Sequence, residues 1–497
     1  MKTTPGWLAC LILACAVAGC SGGDGNHRVY ASALDGALSH LRSNSSAAFV
    51  IETKIGRGAP SGIDRLGPDG RRAVEAVARS QIGQRGVPFN AVIRPQLGNP
   101  LAVGITRRGH SVSAIRTRSP ERLRRDVEER LDRGVAEQLD DYEGALVWKD
   151  RRAPQPVRYA ALDGRELIVA GSEFDLHEAI DAARGSENLA SNRAVRAKLA
   201  SAGLVGGVGD AQRLLDAGDP QQAADARKVP WVRSLGIFEL QVNPRGKRLL
   251  AEFEIHTNRV ELSERDLPLA PGFASPRLHD SDAAASIAIR EPQQLVRFLE
   301  QTLRATDPAR SQRYETGVEQ LRAILRVDLR RDLVGKIASV SLAARSTTSF
   351  TFVARLAPGS AAGFRRDLDH AQLFVQGVLG DAIPGIGVTA RGTGAQRVWL
   401  VRNGRVTVGR YAVRGDSLVG SVGSAPLPSP GPGRRARGVT GSLVLEGDLG
   451  RIGRLFDFVL EVPGEAFGVV SRLGDLTLGV RIDTKRLQGS GYVRISH

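Results

Sequence analysis

The sequence predicts an α+β protein made of two tandem copies of one unit, each an antiparallel sheet covered on one side by helices. Three observations carry this. Short runs alternate apolar and polar residues, the pattern of half-buried strands. Longer stretches place apolar residues three and four apart, the pattern of amphipathic helices. Several of these segments recur about 238 residues further along the chain.

In the first copy, strands are expected at Ala47–Thr53, Leu101–Thr106, Ala145–Trp148, Val157–Leu162, Glu166–Gly171, Leu204–Val208, Ile237–Val242 and Leu249–Thr257. Asp163-Gly164 stands between two of them as a hairpin turn, and Arg414-Gly415-Asp416 does the same in the second copy. Helices are expected at Arg71–Gln84 and Pro120–Leu139, the latter with Ser119 as N-cap and Leu123, Val127, Leu131 and Val135 in one stripe. Two more follow at Glu173–Arg184 and Asn192–Ala202. In the second copy, Pro292–Ala305 puts Leu295, Phe298, Leu299 and Leu303 on a face. Ser360–Leu379 does so with Phe364, Leu368, Val375 and Leu379.

The repeat is clearest near the copy ends. Leu235–Val242 and Leu473–Val480 both read as strands and run without a gap into Lys247-Arg248-Leu249 and Lys485-Arg486-Leu487. Gly209-Asp210 matches Gly447-Asp448 at the same spacing. Ala47–Ile51 aligns with Ala284–Ala288, and Gly98 with Gly335, one position short of that spacing. Arg158-Tyr159-Ala160 aligns with Arg410-Tyr411-Ala412 at a wider one. Where the first copy has its helix pair, the second has Pro426–Gly438, a segment that proline excludes from helix and central strand. The expected units are residues 29–262 and 283–497, with 263–282 as a charged, proline-containing linker.

The N-terminus carries a separate signal. Lys2 precedes Trp7–Ala18, an uncharged stretch. A helix rising roughly 1.5 Å per residue needs a longer run than this to span a bilayer. The stretch ends in Val17-Ala18-Gly19-Cys20, which resembles a bacterial lipobox. Small side chains admit the extended backbone to a peptidase, and the Cys20 thiol accepts the lipid. Residues 1–20 are therefore read as a lipoprotein signal and 21–28 as a Gly-rich tether. The expected location is the outer face of the cell membrane. All three cysteines lie in this segment, so the mature body holds no disulfide.

The net charge is +16. In an exported protein this points to anionic lipid or wall polymer rather than nucleic acid, for which no aromatic-interleaved basic motif is present. Arg434, Arg435 and Arg437 form the basic cluster with fewest neighbouring acids, and contact with an anionic surface is expected there.

No catalytic constellation stands out. There is no G-x-S-x-G, and Ser421 in VGSVG reads as part of a Gly-rich strand. No histidine has another within five residues, so neither a metal nor another cofactor is expected. The densest ligand-type run, His279-Asp280-Ser281-Asp282, falls in the linker and reads as solvated. Gly206-Gly207-Val208-Gly209 lacks the Lys of a phosphate loop, and Asp210 and Asp448 read as helix N-caps.

Three segment types carry a resemblance. They are SSAAFVIET and DAAASIAI at the copy starts, LGNPLAVGI, and RYAALDGRELIVAG leading into ARGSENLASN. On these the chain resembles a family of mostly actinobacterial secreted or membrane-anchored proteins, known as a domain of unknown function. The resemblance implies an envelope location and a duplicated α+β body, and it brings no activity and no site residues. The function expected is a non-catalytic binding or interaction module. One alternative is a carrier of a lipid or other apolar ligand, which needs an apolar cavity of a few hundred Å3. The other is a cell-wall hydrolase, which needs two carboxylates converging in a cleft.

Overall fold

The structure is a computed structural model. It describes residues 27–52, 97–150, 158–200, 203–245, 248–258, 262–272, 276–279, 285–346, 348–382, 386–448, 452 and 474–495. Val17, Ala18, Gly19 and Cys20, and the helix expected at Arg71–Gln84, lie outside the described residues.

The fold is mixed α+β around a large antiparallel sheet. The first described element is helix α1 (His27–Ser39), which takes in the end of the expected tether. Strands β1 (Ala47–Ile51), β2 (Leu97–Ile105) and β3 (Ser111–Thr117) follow. Then come helix α2 (Pro120–Asp132) and strands β4 (Ala136–Gln138), β5 (Leu146–Asp150), β6 (Tyr159–Asp163) and β7 (Glu166–Ala170). Helices α3 (Glu173–Arg184) and α4 (Arg193–Ala200) lead to β8 (Val205–Asp210) and the short helices α5 (Ala211–Asp216), α6 (Pro220–Arg227) and α7 (Pro230–Ser234). Strands β9 (Leu235–Arg245) and β10 (Arg248–Thr257) end this half.

The second half begins with the two-residue β11 (Arg277–Leu278) and β12 (Ala285–Arg290). Helices α8 (Pro292–Thr306) and α9 (Pro308–Leu325) precede β13 (Ile337–Ser346) and β14 (Ser349–Leu356). Helix α10 (Ala361–Ala382) precedes β15 (Ile386–Arg391), β16 (Val398–Asn403), β17 (Val406–Arg414) and β18 (Ser417–Val422). The chain continues through β19 (Arg434–Arg435) and β20 (Leu443–Asp448) to β21 (Gly474–Ile482) and β22 (Arg486–Ile495).

Two separate sheets were expected; the strands instead form one continuous sheet of 20. The join is β10 on β22, paired antiparallel from Arg248↔Arg494 to His256↔Arg486. Outward from β10 the pairing order is β9, β8, β1, β2, β3, β7, β6, β5, β4. Outward from β22 it is β21, β20, β12, β13, β14, β18, β17, β16, β15, the same sequence of steps. At the middle of the seam Glu252 faces Ser490, its own counterpart in the second half. Phe253 lies over Gly489 in the adjacent pair, where a Cβ would run into the ring. A bare glycine lets the ring lie flat across the join.

The registers refine the sequence alignment. The 238-residue spacing holds for β8, β9 and β10, and also for β1, where Ala47 and Ala285 take equivalent places opposite Gly209 and Gly447. For β2 and β3 it is 239, since Leu101 opposes Ile51 as Val340 opposes Ile289. For the hairpin it is 251, from Asp163↔Glu166 and Arg414↔Ser417. Short apolar strands align almost equally well one or two residues out of step, and hydrogen bonding alone decides between those registers.

Helices were expected on one side only, but the first half is covered on both. Alternate residues Ala102, Ala114, Ala161 and Ile168 meet Leu34, Leu38 and Leu41 at the α1 end and Leu176 and Ile180 of α3. The intervening residues Leu101, Ile115, Leu162 and Leu167 meet Leu123 and Val127 of α2. Helix α2 stops at Asp132, short of the expected Leu139, because Gly134 takes φ +66° and the chain turns into β4. Ser119 occupies its N-cap position without making the capping bond.

In the second half α10 lays Phe364 and Leu368 against Leu356, Val413 and Leu418, as α2 does in the first. The opposite face carries Val353, Ala412 and Val419, and among the described residues no helix covers it. Leu427 of the Pro/Gly segment packs there instead. Residues expected as a solvated linker also close this half: Leu267, Leu269, Ala270 and Leu278 are all buried. Proline and charge suggested an exposed loop, but the apolar residues between them fill space that helices leave empty. Leu299 of α8 remains 54% exposed, so the apolar face of that helix is only partly covered.

Candidate functional site

The second half holds a half-open cavity of about 460 Å3, lined in part by the segment 426–434. Its apolar wall is Leu278, Pro426, Leu427 and Pro428; its polar wall is His279, Ser429, Arg345 and Arg434. The segment above it reads PLPSPGPG, with proline at every second position from 426 to 432. Fixed φ angles make such a segment stiff without a helix.

Several contacts hold this lid. Arg434 and Arg435 pair with Leu278 and Arg277. Arg355 donates to the Gly431 carbonyl at 3.0 Å and Arg277 to the Pro432 carbonyl at 3.5 Å. Gly433, at φ +68°, brings the backbone against the Leu278 carbonyl and the His279 ring, where a Cβ would meet them at 2.9 and 3.0 Å. His279 is itself buried, with its backbone N–H donating to Ser341 Oγ. Burial, and then the charges of Arg355 and Arg277, hold its imidazole below the usual histidine pKa. Arg355 Nε stands 3.5 Å from His279 Nε2, a contact that suits a neutral ring accepting there.

The His279–Asp282 run therefore does not behave as a solvated linker at its first residue; Asp280 and Asp282 lie outside the described residues. Of the three arginines expected to meet an anionic surface, only Arg434 lines the cavity. It is also better compensated than the sequence suggested, since its guanidinium forks onto Glu446 at 3.0 and 2.6 Å. Arg435 and Arg437 are exposed outside the cavity. Arg345 and Arg355 arrive from β13 and β14, and no sequence signal marked either of them.

A second cavity of about 120 Å3 lies in the first half, lined by His40, Arg42, Arg107, Arg108, Asp175 and Glu178 among others. Asp175 of this wall also meets Ser172 and His110, which do not line the cavity. His110 Nδ1 stands 2.6 Å from Asp175 Oδ2, and Ser172 Oγ donates to the same oxygen. These are the residue types of a hydrolytic triad in the wrong order, because a nucleophilic serine must bond the histidine rather than the acid. Ser172 instead caps α3, accepting from the Asp175 N–H at 3.1 Å. Asp175 is fully buried, and its Oδ1 makes no hydrogen bond among the described residues. Glu178, the other acid here, is paired with Arg42. Beside this cavity His40 Nε2 contacts Asp163 at 3.0 Å, and Arg184 forks onto the same carboxylate. The hydrogen bond from His40, helped by Arg184, holds Asp163 down to a pKa of about 2.

Other marked residues have structural roles. Asp210 caps α5 through Gln212 and Arg213, as its position suggested. Gly207 and Gly209 lie under the rings of Phe49 and Phe238, so the glycine run serves close packing. Ser421 is buried within β18. Among the described residues no three His, Cys, Asp or Glu side chains group as a metal site, and no helix is long and apolar enough to cross a membrane.

No family model and no curated protein matches the chain. Among solved structures, crystal form III of TP0453 is 8% identical, covering 46% of this chain and 82% of its own at a TM-score of 0.29. Crystal form I of TP0453 is 9% identical, covering 46% and 80% at 0.28. At those scores the likeness carries no argument.

Proposed function

We propose that this chain is an exported, lipid-anchored envelope protein that works as a non-catalytic binding module, with its ligand site under the proline lid of the second half. One observation carries the binding reading. The 460 Å3 cavity has the size of a small-molecule site and joins an apolar wall to a few polar groups. The anchor rests on the sequence: Val17-Ala18-Gly19 before Cys20 is the pattern a lipidating system recognises. Envelope placement and the actinobacterial family rest on the resemblance stated above.

We read the body as two tandem copies of one unit. The identical pairing order on either side of the seam supports a duplication in which the second copy exchanged its helical lid for a loop. The carrier reading is the form of this function that the cavity favours. The hydrolase reading has less support: Asp175 and Glu178 line one cavity, but His110 and Arg42 engage them.

Growth with an alkyne-bearing fatty acid tests the anchor. The wild-type chain is expected to take up the label and to sediment with membranes, and C20S to do neither. An unlabelled wild-type chain would refute it. Native mass spectrometry of the detergent-released full chain tests the binding reading. A retained small molecule is expected, and one that survives L427W, which fills the cavity, would show that it sits elsewhere.

A further inference from the structure

Resting on the envelope reading, we infer that the outer face of α9 docks on the headgroups of an anionic bilayer. On this helix Arg310, Arg313, Gly317, Gln320 and Ile324 recur three and four residues apart and so share one face. Arg310, Arg313, Gln320 and Ile324 are all exposed, and so is Arg326, which ends the helix in the left-handed conformation. The other flank packs against α8. Ser311 is buried, Tyr314 donates to Glu300 at 2.9 Å, and Glu315 accepts from Arg304 at 2.6 Å. Glu319 follows Ser311 and Glu315 at intervals of four, so the acids of α9 lie away from the arginine face.

Charge and hydrocarbon stand together on that face. Among the described residues, Arg310, Arg313 and Arg326 have no acid partner and no side-chain hydrogen bond. Ile324 is 67% exposed, more than any other large apolar side chain described. Cations beside an exposed apolar residue match a bilayer interface, where phosphate oxygens meet the guanidiniums and the acyl region receives the isoleucine. A wall polymer offers the charge but no hydrocarbon. The cluster expected to meet an anionic surface fits less well. Arg434 is bound to Glu446, and Arg435 and Arg437 flank Ala436, which is buried.

Flotation of the full chain, released in detergent and reconstituted with limiting vesicles, tests this. One set of vesicles is phosphatidylcholine, and the other mixes phosphatidylcholine with phosphatidylglycerol. An arginine near an anionic surface is worth about fivefold in affinity, so a gain of at least about tenfold on the mixed vesicles is expected, and high salt should remove it. R310E/R313E is expected to lose that gain. R435E/R437E, an equal charge change elsewhere, is expected to keep it. Thermal melts that match wild type exclude misfolding as the cause. Equal binding of the wild type to both vesicles overturns the inference and leaves the anchor reading intact. Binding to the mixed vesicles alone, lost in R310E/R313E, supports the inference without the anchor. Binding to neither refutes both. Equal or greater loss in R435E/R437E also overturns the inference, since net charge or the 434–437 cluster would then be responsible. Retention on isolated wall polymer with no gain on the mixed vesicles would give the face a different partner and overturn it as well.

Discussion

The two halves present the same sheet face and cover it differently. In the first, Ala114, Ala161 and Ile168 lie against α1, α3 and α4, and the described cavity beside them measures about 120 Å3. In the second, Val353, Ala412 and Val419 hold the equivalent pairings but meet Leu427 of a proline loop. There the cavity measures about 460 Å3. A helix presents a dense stripe of side chains to a sheet, and a proline segment only alternate ones. Exchanging one for the other exchanges packing for space without altering the strand order beneath.

The largest expected effect tests whether the helical lid is the stability-bearing one. Leu38 is fully buried among α1, α3 and the sheet, so L38A should cost about 2–5 kcal/mol in chemical denaturation. L427A, in the loop lid, should cost less than half as much. Equal losses would mean that the two lids contribute alike and that the comparison is wrong. The seam comes next. G489V drives a side chain into the Phe253 ring, and about 3 kcal/mol is expected, at the upper end for overpacking. Two unfolding transitions in place of one would show the halves uncoupled.

Electrostatics give a smaller, pH-marked difference. Asp163 is depressed to about 2 in the folded chain from an ordinary 3.8, so its contribution is present above about pH 4 and disappears as pH falls through 2. D163N should destabilise by about 2 kcal/mol at neutral pH, and the gap to wild type should close near pH 2. The counterpart of Asp163 is Arg414, a cation rather than a carboxylate, so the hairpin turn of the second half has no equivalent of this contribution, although Asp332 elsewhere in that half is also held down to about 2. A constant gap across that range would exclude the linkage. The smallest effect concerns α3. S172A removes an N-cap and should cost about 1 kcal/mol. Loss of a hydrolytic activity in S172A, with stability intact, would instead restore the enzyme reading.

Much of the local structure was legible. Alternation marked most strands of the first half within a few residues, as in Glu166–Gly171 for β7, and apolar stripes marked α2, α8 and α10. Several elements escaped, among them β4, which lies inside the helix expected to run to Leu139. Helix α1 begins inside a segment read as tether, the serines of β3 obscure its alternation, and α9 spreads its apolar residues thinly among charges. Of the candidate site, Arg434 and His279 were noticed, but for reasons other than the cavity that joins them. Arg345 was not, because nothing local distinguishes one strand-end arginine from another.

The sequence by itself determined the α+β class, the recurrence of its segments in a second half and the exclusion of helix from the proline segment. Each depends on side-chain period or on the fixed φ of proline, and both act within a few residues. Only the tertiary structure decided that twenty strands form one sheet, that apolar residues of the linker are buried and that a cavity opens beside the proline segment. Those depend on contacts such as Glu252 with Ser490 or Leu278 with Arg434, between segments far apart along the chain. Hydrogen-bond complementarity and exclusion of water select such partners from many locally equivalent ones.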